Sequence, residues 1–180
     1  MNSLRGKLLI AGPPLRDPNF HRTVVLVCEH SEEGAMGLVL NRAAPLTIAD
    51  AVPDLGPLLG DENLLHLGGP VQPGSVVMLA EFDVHGDALI VDGDLGIVTA
   101  EMELDDLIGA VRRARAFLGY AGWGPGQLDE EMEREDWIVA PLDGDDPFTE
   151  EPGDLWVATL QRLGGHYALV ARMPTDPSVN

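Results

Sequence analysis

Apolar residues in this 180-residue chain fall mostly into short runs cut by glycine, proline and acidic residues. Short apolar runs bounded by turn residues predict strands, here at residues 8–11, 23–28, 35–41, 64–67, 75–82, 88–91, 95–99 and 137–140. The run Thr23-Val24-Val25-Leu26-Val27-Cys28 has no polar alternation, which predicts burial on both faces. Ser31-Glu32-Glu33-Gly34 supplies a turn that pairs the second and third runs as a hairpin, and Asp92-Gly93-Asp94 is a second tight hairpin signal.

Helical spacing is clearest over residues 104–117, where Leu104, Leu107, Ile108, Val111 and Ala114 form one apolar stripe. Acids at its start (Glu101, Glu103, Asp105, Asp106) and Arg112, Arg113 and Arg115 near its end suit the helix dipole. Shorter helices are predicted at 47–52, capped by Thr47 and stopped by Pro53, at 127–136, and at 155–163, ended by Gly164-Gly165. Residues 167–172 read as a last strand that closes the sheet. Hairpins with few helices favour an α+β fold over a regular βαβ repeat.

Composition narrows the function. Eleven Lys and Arg face thirty Asp and Glu, a formal net charge of −19 with pI near 4.3. That balance opposes salt-driven binding to nucleic acid and to an anionic membrane surface. A hydrophobic fraction of 45% is that of a folded chain, and the length suits one domain over residues 1–180. The charge is uneven. Residues 43–111 carry no Lys or Arg, whereas residues 1–42 hold Arg5, Lys7, Arg16, Arg22 and Arg42. Any small-anion site is therefore expected in the N-terminal part, and a ligand near Arg16, Arg22 or Arg42 stays open. The single cysteine, Cys28, excludes an internal disulfide. No apolar run reaches the length of a secretory core or a membrane helix, so a cytoplasmic protein is expected.

Two segments carry candidate chemistry. Cys28 and His30 stand two apart at a strand end, which in a regular strand places them on one face. An imidazolium there can activate a thiol, against the blander reading of a buried Cys and a strand-end hydrogen bonder. A metal site would need more ligands from His21, His66 or His166, and no second cysteine or close ligand pair exists. Neither metal nor cofactor is expected. The second segment runs from Gly119 to Leu128, with Gly122, Trp123, Gly124, Gly126 and Gln127 inside it. Such a loop can offer backbone N–H groups to an anion, but Asp129, Glu130 and Glu131 follow at once and Pro125 has no donor. A structural turn is the easier reading, with Tyr120 and Trp123 packed or presented to a second copy of the chain.

Several segments together resemble the YqgE/AlgH family of bacterial proteins. They are Leu8-Leu9-Ile10-Ala11, Asp17-Pro18-Asn19-Phe20 with Arg22-Thr23-Val24, Cys28-Glu29-His30, Gly34 to Arg42, Gly68-Gly69-Pro70-Val71 and the Gly119 to Leu128 segment. The match spans about residues 6–173. Mild departures are Gly12 and Pro14 and the acidic stretch at 143–154. The resemblance implies a single compact α+β domain, a mixed bifurcated β-sheet with a small barrel, flanked by helices. It carries the label of transcriptional regulator and no established active site. The functional expectation is a regulatory or interaction protein, more a binder than an enzyme, that acts through a protein partner or small ligand without gripping DNA. The rival is an enzyme or small-anion binder that uses Cys28 and His30 with the Gly119 to Leu128 loop; ligand candidates are Arg22, Asn41, Arg42, Gly122, Trp123, Gly124, Gly126 and Gln127.

Overall fold

The structure, a computed structural model, describes residues 2–176. The first apolar runs form β1 (Lys7–Ala11), β2 (Val24–Ser31) and β3 (Gly34–Val39), followed by a short β4 (Ala43–Thr47). Helix α1 (Ile48–Ala51) begins at the expected cap, where the Thr47 hydroxyl accepts the Asp50 N–H at 3.2 Å. Then come α2 (Gly56–Leu59), β5 (Leu64–Leu67), β6 (Val71–Phe82), β7 (Leu89–Asp92), β8 (Leu95–Ile97) and α3 (Leu104–Ala110). The chain ends with β9 (Val111–Trp123), α4 (Gln127–Glu133), β10 (Trp137–Pro141), α5 (Leu155–Leu163) and α6 (Gly165–Val170).

The sheet runs β10-β1-β2-β3-β9-β6-β8-β7, with every neighbouring pair antiparallel. It is mixed and bifurcated at β9, because β3 pairs with residues 121–123 while β5 lies parallel to Phe117 and Leu118. β10 and β7 stand at opposite ends of this path. The sheet is therefore open, and the small barrel implied by the resemblance is corrected.

Helices cover the sheet on both sides, which explains the unbroken apolar run in β2. Val24, Leu26 and Cys28 join Leu8, Ile10 and Leu38 in a core that meets Trp156 and Leu160 of α5 and Val170 of α6. Val25 and Val27 face the other way, with Leu9, Val39 and Trp137, onto Leu128 of α4. A third core under α1, α2 and α3 gathers Ile48, Leu59, Leu107, Phe82 and Ala116. Among the described residues no helix is long and apolar enough to cross a membrane.

Two elements differ from expectation. The helix predicted over 104–117 stops at Ala110, and residues 111–123 are the central strand β9. Pairing with β6 from Val76 opposite Leu118 to Phe82 opposite Val111 outweighs local helical spacing. The arginines are cross-strand partners rather than helix-end cations: Arg113 sits opposite Glu81 and bonds it, and Arg112 pairs with Asp83 at 2.8 Å and Asp94 at 3.1 Å. The last predicted strand, 167–172, is instead helical as far as Val170 and then a turn. Gly164 and Gly165 take φ of +72° and +52°, which turns the chain so that α6 starts afresh and returns Val170 and Ala171 to the core.

Candidate functional site

The Gly119 to Leu128 segment is built around one carboxylate. Glu131 of α4 accepts the indole N–H of Trp123 at 2.9 Å and of Trp137 at 2.8 Å on a single oxygen. Its other oxygen accepts the Gln127 amide at 3.0 Å, and the Gln127 carbonyl oxygen in turn accepts the Gly124 N–H at 3.0 Å. The loop donor that an anion would need is thus satisfied from within. Phe20 completes the cluster, its ring 6.3 Å from Trp123 and 5.7 Å from Trp137 between centroids. Trp123 is consequently buried, and of the two aromatics assigned to a contact with a second copy only Tyr120 stays partly open.

Beside this cluster lies an open groove of about 730 Å³. Arg5, Glu29, His30 and Glu33 supply charged and polar walls, while Met36, Val71, Tyr120 and Trp123 supply apolar surface. The groove joins the end of β2 to the end of β9, so His30, Gly122 and Trp123 do come together. Gly124, Gly126 and Gln127 do not line it, and neither does Cys28.

Cys28 and His30 are separated by a bulge. Val27 faces Gly37 and Glu29 faces Met36, so Cys28 is an extra residue and the regular alternation that would put it beside His30 is broken. Cys28 is fully buried in the core, its thiol directed to the Leu26 carbonyl at 3.6 Å. Burial first, and then the Glu29 charge, push that thiol well above the usual range, with Arg5 opposing weakly. His30 turns outward, and its Nδ1 accepts the Leu4 N–H at 3.0 Å. The arrangement opposes a thiolate nucleophile. Native protein is expected to leave Cys28 unmodified by iodoacetamide at pH 8 and to react only on denaturation; stoichiometric labelling of the native fold would contradict this.

Comparison with known proteins places this geometry. The AlgH-like family model matches residues 8–168. The chain belongs to the AlgH-like family. A UPF0301 protein of Streptomyces coelicolor is 41% identical over all of this chain and 97% of its own, and one of Cytophaga hutchinsonii is 38% identical over 98% of each. The solution structure of the AlgH protein from Pseudomonas aeruginosa superposes with a TM-score of 0.75 at 31% identity, covering 97% of each chain. An X-ray structure of a Corynebacterium diphtheriae protein gives 0.85 at 28% identity, over 95% of this chain and 93% of that one. None of these names carries an activity.

In this AlgH-like chain the remaining candidates scatter away from the groove. Arg42 clamps the loop before β2 by donating to the carbonyls of Asn19 at 2.7 Å, Pro18 at 3.0 Å and His21 at 3.1 Å, which fixes the loop that carries Phe20. Asn41 bridges the same turn, accepting the Val24 N–H at 2.9 Å and donating to the Arg22 carbonyl at 2.8 Å. Arg22 holds a positive φ of +54°, lies 4.4 Å over the Trp156 ring and bonds the Met173 carbonyl. With Arg16 and His21 it lines a small cavity of about 250 Å³. The groove residues that sequence reasoning passed over are Arg5, Glu33, Met36 and Val71. They come from three separate segments, and only the fold brings them together.

Proposed function

We propose that this AlgH-like protein is a binding and regulatory module, and that it grips a segment of a protein partner in the Arg5 to Trp123 groove. The observation that carries the reading is the wall chemistry: half-buried apolar surface from Met36, Val71 and Tyr120, bordered by Glu29, Glu33 and Arg5, with the thiol sealed off in the core. Such a mixture suits an apolar side chain flanked by charge, the usual make-up of a protein contact. The acids at the rim favour a partner segment with a basic residue beside its apolar anchor. With a net charge of −19, a regulatory effect would pass through that partner rather than through DNA phosphates. The burial of Cys28 speaks against the rival enzyme reading.

Photo-crosslinking tests this. With p-benzoylphenylalanine in place of exposed Glu33, one discrete protein adduct is expected in cells, and the purified partner should reproduce it in vitro. The same probe in place of Leu169 on α6, a residue 64% exposed, is the control and should give none. No adduct from position 33, or identical adducts from both positions, would sink the reading.

A further inference from the structure

A second cavity, of about 360 Å³, lies between β5, β9, α1, α2 and the segment at 148–150, and it shares no lining residue with the groove. Its wall contains His66, in the middle of β5 between Ala43 of β4 and Phe117 of β9. His66 is 4% exposed, and neither ring nitrogen has a hydrogen-bond partner. Buried polar groups are nearly always satisfied, so one whose two nitrogens both lack a partner calls for an explanation. The surrounding packing offers little: the Leu64 backbone lies near the ring without meeting hydrogen-bond geometry, and the Phe117 ring is 5.7 Å away between centroids.

Arg115 stands in the same wall, hydrogen-bonded to backbone alone. It donates to the carbonyls of Pro147 at 3.1 Å, Thr149 at 2.8 Å and Phe148 at 3.4 Å, yet has no carboxylate within ion-pair distance among the described residues. Arg113, the other cation lining the cavity, is already engaged by Glu81 and Asp145. The one carboxylate of the lining, Glu150, is exposed. Burial, helped by the nearby Arg115 charge, pushes the His66 imidazole down to about 4, so at neutral pH it is uncharged and has one N–H to give.

We propose that this cavity binds a small organic monocarboxylate, its oxyanion accepting from Arg115 and the His66 N–H, its apolar part lying against Ile48, Leu59 and Phe148. A monoanion fits better than a phosphate dianion, because only one cation is uncommitted and Glu150 opposes a second negative charge. The volume is in the range of small-molecule sites.

Sodium benzoate is the probe and neutral benzamide its isostere, both titrated at constant ionic strength. Benzoate is expected to shift the His66 imidazole NMR signals saturably and to raise Tm, with benzamide weaker by more than about tenfold. His66→Phe removes both orphaned nitrogens and keeps an apolar ring. It should fold with an equal or higher Tm and lose the response to benzoate. Three results would overturn the proposal: no saturable His66 response to millimolar benzoate, an equal response to benzamide, or a His66→Phe variant well below wild type in Tm. The last would show that the nitrogens serve the fold, through an ordered water alone.

Discussion

Gly69→Ala is expected to leave the chain without a stable native state. Gly69 holds a φ of +151°, and a Cβ there would lie 2.2 Å from the Tyr120 carbonyl carbon, 2.3 Å from its oxygen and 2.4 Å from the Ala121 nitrogen. All three are backbone atoms of β9, which is tied to β3 along one edge and β6 along the other and has nowhere to retreat. A methyl forced into that space combines overpacking with backbone strain, at a cost above about 4 kcal/mol. For a domain at the lower end of the usual ~5–15 kcal/mol, that is most of its stability. Urea unfolding and soluble yield check it, against Gly74→Ala, whose added carbon meets nothing within 4 Å. The control should stay within about 0.5 kcal/mol of wild type. A Gly69→Ala midpoint equal to wild type would show that the 68–71 segment does not lie against β9 as described. The close approach also serves the groove, since it sets Val71 opposite Tyr120.

Glu131→Ala is the second large effect. Trp123 and Trp137 are 6% and 4% exposed, and both indole N–H groups end on the same Glu131 oxygen. Removing it leaves two buried donors without an acceptor, at about 1–3 kcal/mol each. The Gln127 brace of the Gly124 loop is lost with it. A total loss of roughly 2–6 kcal/mol should lower Tm by about 4–24 °C in a domain of this size. Glu131→Gln keeps one carbonyl oxygen able to accept from both indoles, and should cost less than half as much. Thermal unfolding followed by tryptophan fluorescence separates the two variants. Equal losses would mean that the carboxylate charge, rather than the two indole hydrogen bonds, holds the cluster.

Much of this fold can be read from short-range pattern, and the exceptions share a cause. The unbroken run at Val24 to Cys28 predicted burial on both faces, and α5 with α6 on one side and α4 on the other supply it. Thr47 and the Asp92-Gly93-Asp94 turn behaved as their local chemistry dictates. Residues 111–117 misled because an apolar residue at every third or fourth position, followed by arginines, suits a helix. What makes them a strand is β6, thirty or more residues earlier, with Glu81 waiting for Arg113. The site shows the same division. His30, Gly122 and Trp123 were visible as candidates and do meet. The bulge that removes Cys28 from their company depends on the register of β2 against β3, which no local pattern reports. Arg42 was a candidate because the cations gather in residues 1–42, and Asn41 because it stands beside it in the Gly34 to Arg42 segment, yet their hydrogen bonds go to backbone. His66 drew notice only as a metal ligand, and its neglect by hydrogen-bond partners appears only once the strands around it are in place.

Gly122→Arg tests directly whether the groove is the binding surface. A Cβ at Gly122 meets only ordinary contacts, 3.5 Å from Val71 and 3.6 Å from Tyr120, so the backbone accepts a side chain that projects into the groove. The measurement is the calorimetric affinity of the crosslinked partner, once purified, for wild-type and Gly122→Arg protein of matched Tm. Binding through the groove predicts a loss of more than about tenfold. Unchanged affinity in a variant that is folded and occluded would contradict it.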